Sequence, residues 1–174
     1  SNGGSVDAID LGSNNVVETP PKELLELENL TYLSLYSNPL KYSFDGIRRA
    51  KQIDSLFLAS TGLRSLKGMC RAHNLVDLYI RFNNMKGKVP DEFSNLVNLE
   101  SISMSDNSFT GELPSFSRMY RLKSLRAASN HFVGELPSFE DNYRLKTIDL
   151  SDNKLSGSIS PTFLESVDTS ETLY

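Results

Sequence analysis

The chain has 174 residues, of which 39% are hydrophobic and 23% charged, enough apolar mass for one domain with a continuous core. Its 18 Lys and Arg stand against 22 Asp and Glu, a net charge of -4, which argues against a broad nucleic-acid surface. No apolar run approaches the roughly 20 residues of a membrane span, and a single cysteine, Cys70, excludes an intrachain disulfide.

The polar stretch Ser1-Asn2-Gly3-Gly4-Ser5 reads as a flexible start outside the fold. From Val6 onward one pattern, L-x-x-L-x-L-x-x-N-x-L, recurs with starts at Val6, Leu30, Ile53, Leu75, Leu99, Leu122 and Leu145. A fixed period of about two dozen residues predicts a stacked solenoid, each turn covering its neighbour's apolar face. The repeat region is expected over residues 6–169, with 170–174 as the opening of an eighth unit. A stack that stops there would need continuation, a cap or an oligomer contact at that end.

The fourth position of each unit is Ile9, Leu33, Leu56, Leu78, Ile102, Leu125 and Ile148. The sixth is Leu11, Leu35, Leu58, Ile80, Met104, Ala127 and Leu150. This period of two predicts a short strand with these residues inward. The ninth position is Asn14, Asn38, Thr61, Asn83, Asn107, Asn130 and Asn153. An amide both donates and accepts, so asparagines in register form a ladder between turns, broken once by Thr61.

The second half of a unit carries Gly87, Gly111, Gly134 or Gly157, followed by Val89-Pro90, Leu113-Pro114 or Leu136-Pro137. Glycine permits an unusual backbone angle and proline fixes the next bend. Gly-Glu-Leu-Pro-Ser-Phe occurs twice, at 111–116 and 134–139. The apolar spacings after the prolines predict short 3₁₀ turns on the outer side. Units two and three lack the Gly and Pro, and Leu63-x-x-Leu66 there suggests a local turn.

These motifs together, with x-G-x-[IVL]-P trailing the asparagine pattern, resemble leucine-rich repeats of the plant type. Such repeats occur in ectodomains of receptor-like kinases and receptor-like proteins, in polygalacturonase inhibitors and in algal or protist relatives. The resemblance implies an α/β-type solenoid, a right-handed superhelix of about seven repeats with parallel strands on the concave face. It also implies an extracellular or cell-surface recognition module for a protein, peptide or glycan. An inhibitor of a secreted enzyme such as a cell-wall hydrolase, or a purely structural spacer, are the alternatives.

Strand positions three, five, seven and eight are expected on the concave sheet. Tyr32, Tyr36, Phe57, Tyr79 and Phe82 cluster there in units two to four, beside Arg81. Tyr, Phe and Arg are enriched where partners bind. Arg126 is a further charge contact, and Ser103, Ser105, Asp149 and Asp152 a polar continuation. Stacking of the rings across neighbouring strands is the competing structural reading.

Catalytic chemistry is not visible. No phosphate loop, H-E-x-x-H, C-x-x-C or EF-hand pattern occurs, and no cofactor or metal is expected. His73 and His131 fall in different units. Cys70 precedes Arg71 and His73, yet reads as an ordinary small side chain rather than a nucleophile. Asn29-Leu30-Thr31 is a candidate N-glycosylation acceptor at Asn29.

Overall fold

The computed structural model describes residues 5–18, 20–40, 47, 50, 52–66, 68–161 and 163. The expected start through Gly4 and the eighth unit at 170–174 lie outside them.

Each unit contributes one three-residue strand to a seven-stranded parallel sheet: β1 (Ala8–Asp10), β2 (Tyr32–Ser34), β3 (Ser55–Phe57), β4 (Asp77–Tyr79), β6 (Ser101–Ser103), β8 (Ser124–Arg126) and β10 (Thr147–Asp149). The strands pair in chain order, with Ile9, Leu33, Leu56, Leu78, Ile102, Leu125 and Ile148 in one row. Leu33, Leu56 and Leu78 are 0% exposed. Burying such a side chain contributes about 1.5–3 kcal/mol, so the row acts as a continuous spine.

A second parallel sheet, not anticipated from the sequence, follows the asparagines: β5 (Lys86–Gly87), β7 (Ser108–Gly111), β9 (His131–Gly134) and β11 (Lys154–Leu155). It falls in the four units that carry the glycine of the Gly-x-x-Pro segment. Gly134 has φ +85, and an added Cβ would stand 2.9 Å from Cγ of Glu112 on the preceding turn. Glycine meets both demands, the left-handed angle and the close approach.

Short 3₁₀ turns close the outer side at Lys22–Glu26, Met69–Arg71 and Asp91–Asn95. In unit three the helical turn lies at Met69–Arg71 rather than at Leu63–Leu66, which form no regular element and whose leucines are both buried. The duplicated hexapeptide has a packing purpose. Its final phenylalanines, Phe116 and Phe139, stack at 5.6 Å between ring centroids, and Phe109 and Phe132 form a parallel column at 6.0 Å.

The asparagines bind turn to turn. Asn38 donates to Leu11 O at 2.8 Å and accepts the Val16 N–H at 3.0 Å. Asn83, Asn107, Asn130 and Asn153 repeat this, each donating to the position-six carbonyl of the preceding turn. Thr61 donates to Leu58 O of its own turn at 2.8 Å. Asn14 is exposed and donates to Leu11 O and Gly12 O of its own turn.

Candidate functional site

Position eight adopts a left-handed backbone in all seven units: Ser13, Ser37, Ser60, Phe82, Asp106, Ser129 and Asp152 have φ of 51 to 55. In the first six units this angle accompanies an N–H that reaches the carbonyl of the next turn, as Phe82 N–H does to Ser105 O at 3.1 Å. Serine and aspartate suit such a bend. A phenylalanine there is strained, because a bulky side chain crowds its own backbone when φ is positive. The Phe82 ring is nevertheless 51% exposed, with the Arg81 guanidinium 5.2 Å from its centroid.

Three of the other rings form a continuous stack. Phe57 and Tyr79 face each other across β3 and β4 at 4.7 Å with planes 8° apart. Tyr32 joins diagonally, 5.2 Å from Phe57 and tilted 37°. All three are half-buried. Tyr36 lies outside this stack and folds over unit one. A Cβ on Gly12 would stand only 2.0 Å from its ring, so glycine makes room for it, and Tyr36 stays 40% exposed. The sheet therefore brings Tyr32, Phe57 and Tyr79 together, while Tyr36, Arg81 and Phe82 project around them.

The polar continuation differs from expectation. Ser103 and Ser105 are buried, as are Ser34 and Ala128 on the same face. Their side chains are shorter than their neighbours', and the Ser105 hydroxyl already accepts the Ala128 N–H at 3.1 Å. Arg126 is exposed, between Ser103 and Asp149 in register. The Asp149 carboxylate accepts from Ser151 N–H and Oγ. At the other end Asp10 is held below the ordinary carboxylate range, first by the Gly12 N–H at 2.9 Å and then by the nearby Ser34 hydroxyl, although that pair does not reach good hydrogen-bond geometry.

Cys70 is half-buried beside His73 and Glu92 in an outer hollow of about 430 Å³. Burial first, and the Glu92 carboxylate second, push its thiol up, the opposite of what a nucleophile needs. Among the described residues no three His, Cys, Asp or Glu side chains group to hold a metal ion. No helix among them is long and apolar enough to cross a membrane. Asn29 is exposed in the turn before β2.

The comparisons agree with this geometry. The family model described as Leucine Rich Repeat matches residues 74–96, 98–119 and 144–165. Receptor-like protein 35 of Arabidopsis thaliana is 31% identical over 106 residues, which is 61% of this chain and 10% of that protein. The chain spans about a tenth of the length of the curated relatives it matches. The leucine-rich repeat ectodomain of the Arabidopsis thaliana receptor kinase GASSHO1/SCHENGEN3, solved with CASPARIAN STRIP INTEGRITY FACTOR 2, superposes with TM-score 0.85 and 32% identity, covering 97% of this chain and 21% of that one. The Arabidopsis receptor kinase HAESA, solved with the peptide hormone IDA and the co-receptor SERK1, gives TM-score 0.87 and 25% identity, covering 98% and 29%.

Proposed function

The chain is a leucine-rich repeat protein of the plant type, and from that premise we propose that it is a non-catalytic, extracellular recognition module whose concave face takes a peptide or protein ligand. The observation that carries this is the exposure of Tyr36 and Phe82, with Arg81, around a half-buried stack of rings. Partly exposed aromatic rings, one of them under a guanidinium, are what a partner can bury at little entropic cost. Phe82 adds weight, since its strained backbone favours any of the small polar residues that the other six units carry. The similar HAESA ectodomain was solved with a peptide hormone and a co-receptor, which supports a peptide or protein as the ligand class. Exposed Asn29 fits the extracellular setting as a glycosylation acceptor.

A peptide-display selection on the chain tests the reading. Burial of a whole ring contributes about 1.5–3 kcal/mol, and Tyr36 and Phe82 have about half of their area left to bury, so selected peptides should bind Tyr36→Ala and Phe82→Ala about 3- to 12-fold more weakly. Peptides that bind both variants as well as the parent chain would place the binding surface elsewhere.

A further inference from the structure

We propose a second binding surface, on the flank of the solenoid where the outer turn enters the main sheet, that takes an acidic saccharide chain through two stacked Tyr-Arg-x-Lys rungs. The tetrapeptide Tyr-Arg-Leu-Lys occurs twice, at 120–123 and 143–146, in equivalent places of consecutive turns. Lys146 N–H donates to Lys123 O at 2.8 Å, which fixes the two rungs in register. The leucines, Leu122 and Leu145, point into the core at 0% exposure. Their flanking residues are thereby turned outward: Tyr120 is 57% and Tyr143 76% exposed, and Arg121 and Arg144 are exposed beside them. Between the rungs lies a hollow of about 370 Å³, lined among the described residues by Lys123, Tyr143, Arg144 and Lys146.

Two features point to a ligand rather than to structure. The chain as a whole is acidic, at -4, yet this flank repeats the same cations on adjacent turns. Like charges set opposite one another destabilise a ladder. Lys123 is partly neutralised by Glu100 at 2.6 Å, whereas the arginines extend the positive strip past that pair. An anion laid across both rungs would meet the exposed arginines, Arg121 and Arg144, of consecutive turns.

The tyrosines choose the class of anion. They stand out as exposed, flat, electron-rich faces, a surface suited to the C–H face of a sugar ring. The backbone is unsuited to peptide pairing, because Lys123 N–H already donates to Glu100 O and Lys123 O already accepts from Lys146 and Thr147. Consecutive rungs are about 4.8 Å apart, on the order of one ring of a pyranose chain, so successive carboxylates can meet successive arginines.

The test is binding of oligogalacturonate to the full chain by calorimetry, with neutral dextran and poly-glutamate as comparison probes. Oligogalacturonate should bind and dextran should not. Arg121→Gln with Arg144→Gln should weaken binding at least about 10-fold and flatten its salt dependence. Tyr120→Ala with Tyr143→Ala should weaken it about 10-fold while leaving the salt dependence intact. Tyr36→Ala should leave it unchanged, which separates this surface from the concave one. All these side chains are exposed, and unchanged thermal melts will verify that the variants fold. Absence of oligogalacturonate binding overturns the proposal. So does poly-glutamate binding as tightly with no loss in the tyrosine variant, which would assign the strip to an acidic protein partner.

Discussion

Replacing Asn130 by alanine probes the ladder that holds the turns together. Asn130 is buried at 3% exposure. It donates to Met104 O at 3.1 Å and Ala127 O at 3.2 Å and accepts the Phe109 N–H at 3.1 Å. The carbonyls do not become orphans in the variant. Met104 O keeps the amide of Asn107, and Ala127 O keeps that of Asn153. The Phe109 N–H has no such substitute, and a buried donor left unpaired costs about 1–3 kcal/mol. Loss of the remaining bonds and of buried side-chain volume adds about 1 kcal/mol more. We therefore expect Asn130→Ala to lower stability by about 2–4 kcal/mol in urea unfolding followed by circular dichroism. Asn14→Ala is the matched control, because this exposed residue bonds only to carbonyls of its own turn. It should cost about 1 kcal/mol or less. Equal losses for the two variants would refute the claim that cross-turn satisfaction, rather than the residue type, gives the ladder its strength.

Phe82→Asn should raise the urea midpoint, since asparagine tolerates the left-handed angle and phenylalanine does not, a gain of about 1 kcal/mol; a fall would contradict the strain. Gly134→Ala should cost about 1–2 kcal/mol from its φ of +85, and adding Glu112→Ala should remove the steric contact but not the backbone cost, as a double-mutant cycle will measure. The depressed Asp10 carboxyl contributes stability that is present above its unfolded value of about 3.8 and is lost as pH falls through its lower folded value. Asp10→Asn should therefore flatten the decline in urea midpoint on acidification below that value, and an unaltered decline would remove Asp10 as its source. Cys70, half-buried with its thiol pushed up, should react with a disulfide reagent at pH 8 more slowly than after unfolding in urea, and equal rates would mean the thiol is open.

The repeat period made the main sheet legible, because a buried row needs only apolar residues at fixed spacing, and Leu33, Leu56 and Leu78 supply them. The second sheet was not legible. Its strands are two to four residues long, and β5 is simply Lys86–Gly87, too short to show alternation. Its signal is the glycine at the end of Lys86–Gly87, Ser108–Gly111 and His131–Gly134, which reads equally well as a turn. The left-handed position was hidden for a different reason. Serine and aspartate are common anywhere on a surface, so only their backbone angles distinguish Ser37 or Asp106 from ordinary loop residues. Burial of Ser103 and Ser105 likewise depends on the length of neighbouring side chains, which a position-by-position reading treats as independent.

The same dependence decides how the concave rings divide their work. Parallel strands about 4.8 Å apart place in-register rings at stacking distance, so an aromatic column on such a sheet necessarily spends its faces on itself. Phe57 lies between Tyr32 and Tyr79 and has a neighbour on both sides. What it offers a ligand is an edge, and its removal also disturbs the stack by about 0.5–1.5 kcal/mol for each ring pair lost. Tyr36 and Phe82, at 40% and 51% exposure, keep about half of their area open to solvent. A patch that reads in the sequence as five equivalent aromatics is thus a stabilising column with exposed rings beside it. Alanine at Phe57 should lower the urea midpoint, whereas alanine at Tyr36 or Phe82 should act chiefly on peptide affinity. Should Phe57→Ala reduce affinity more than either while leaving stability unchanged, the column itself, and not its surroundings, would be the anchor.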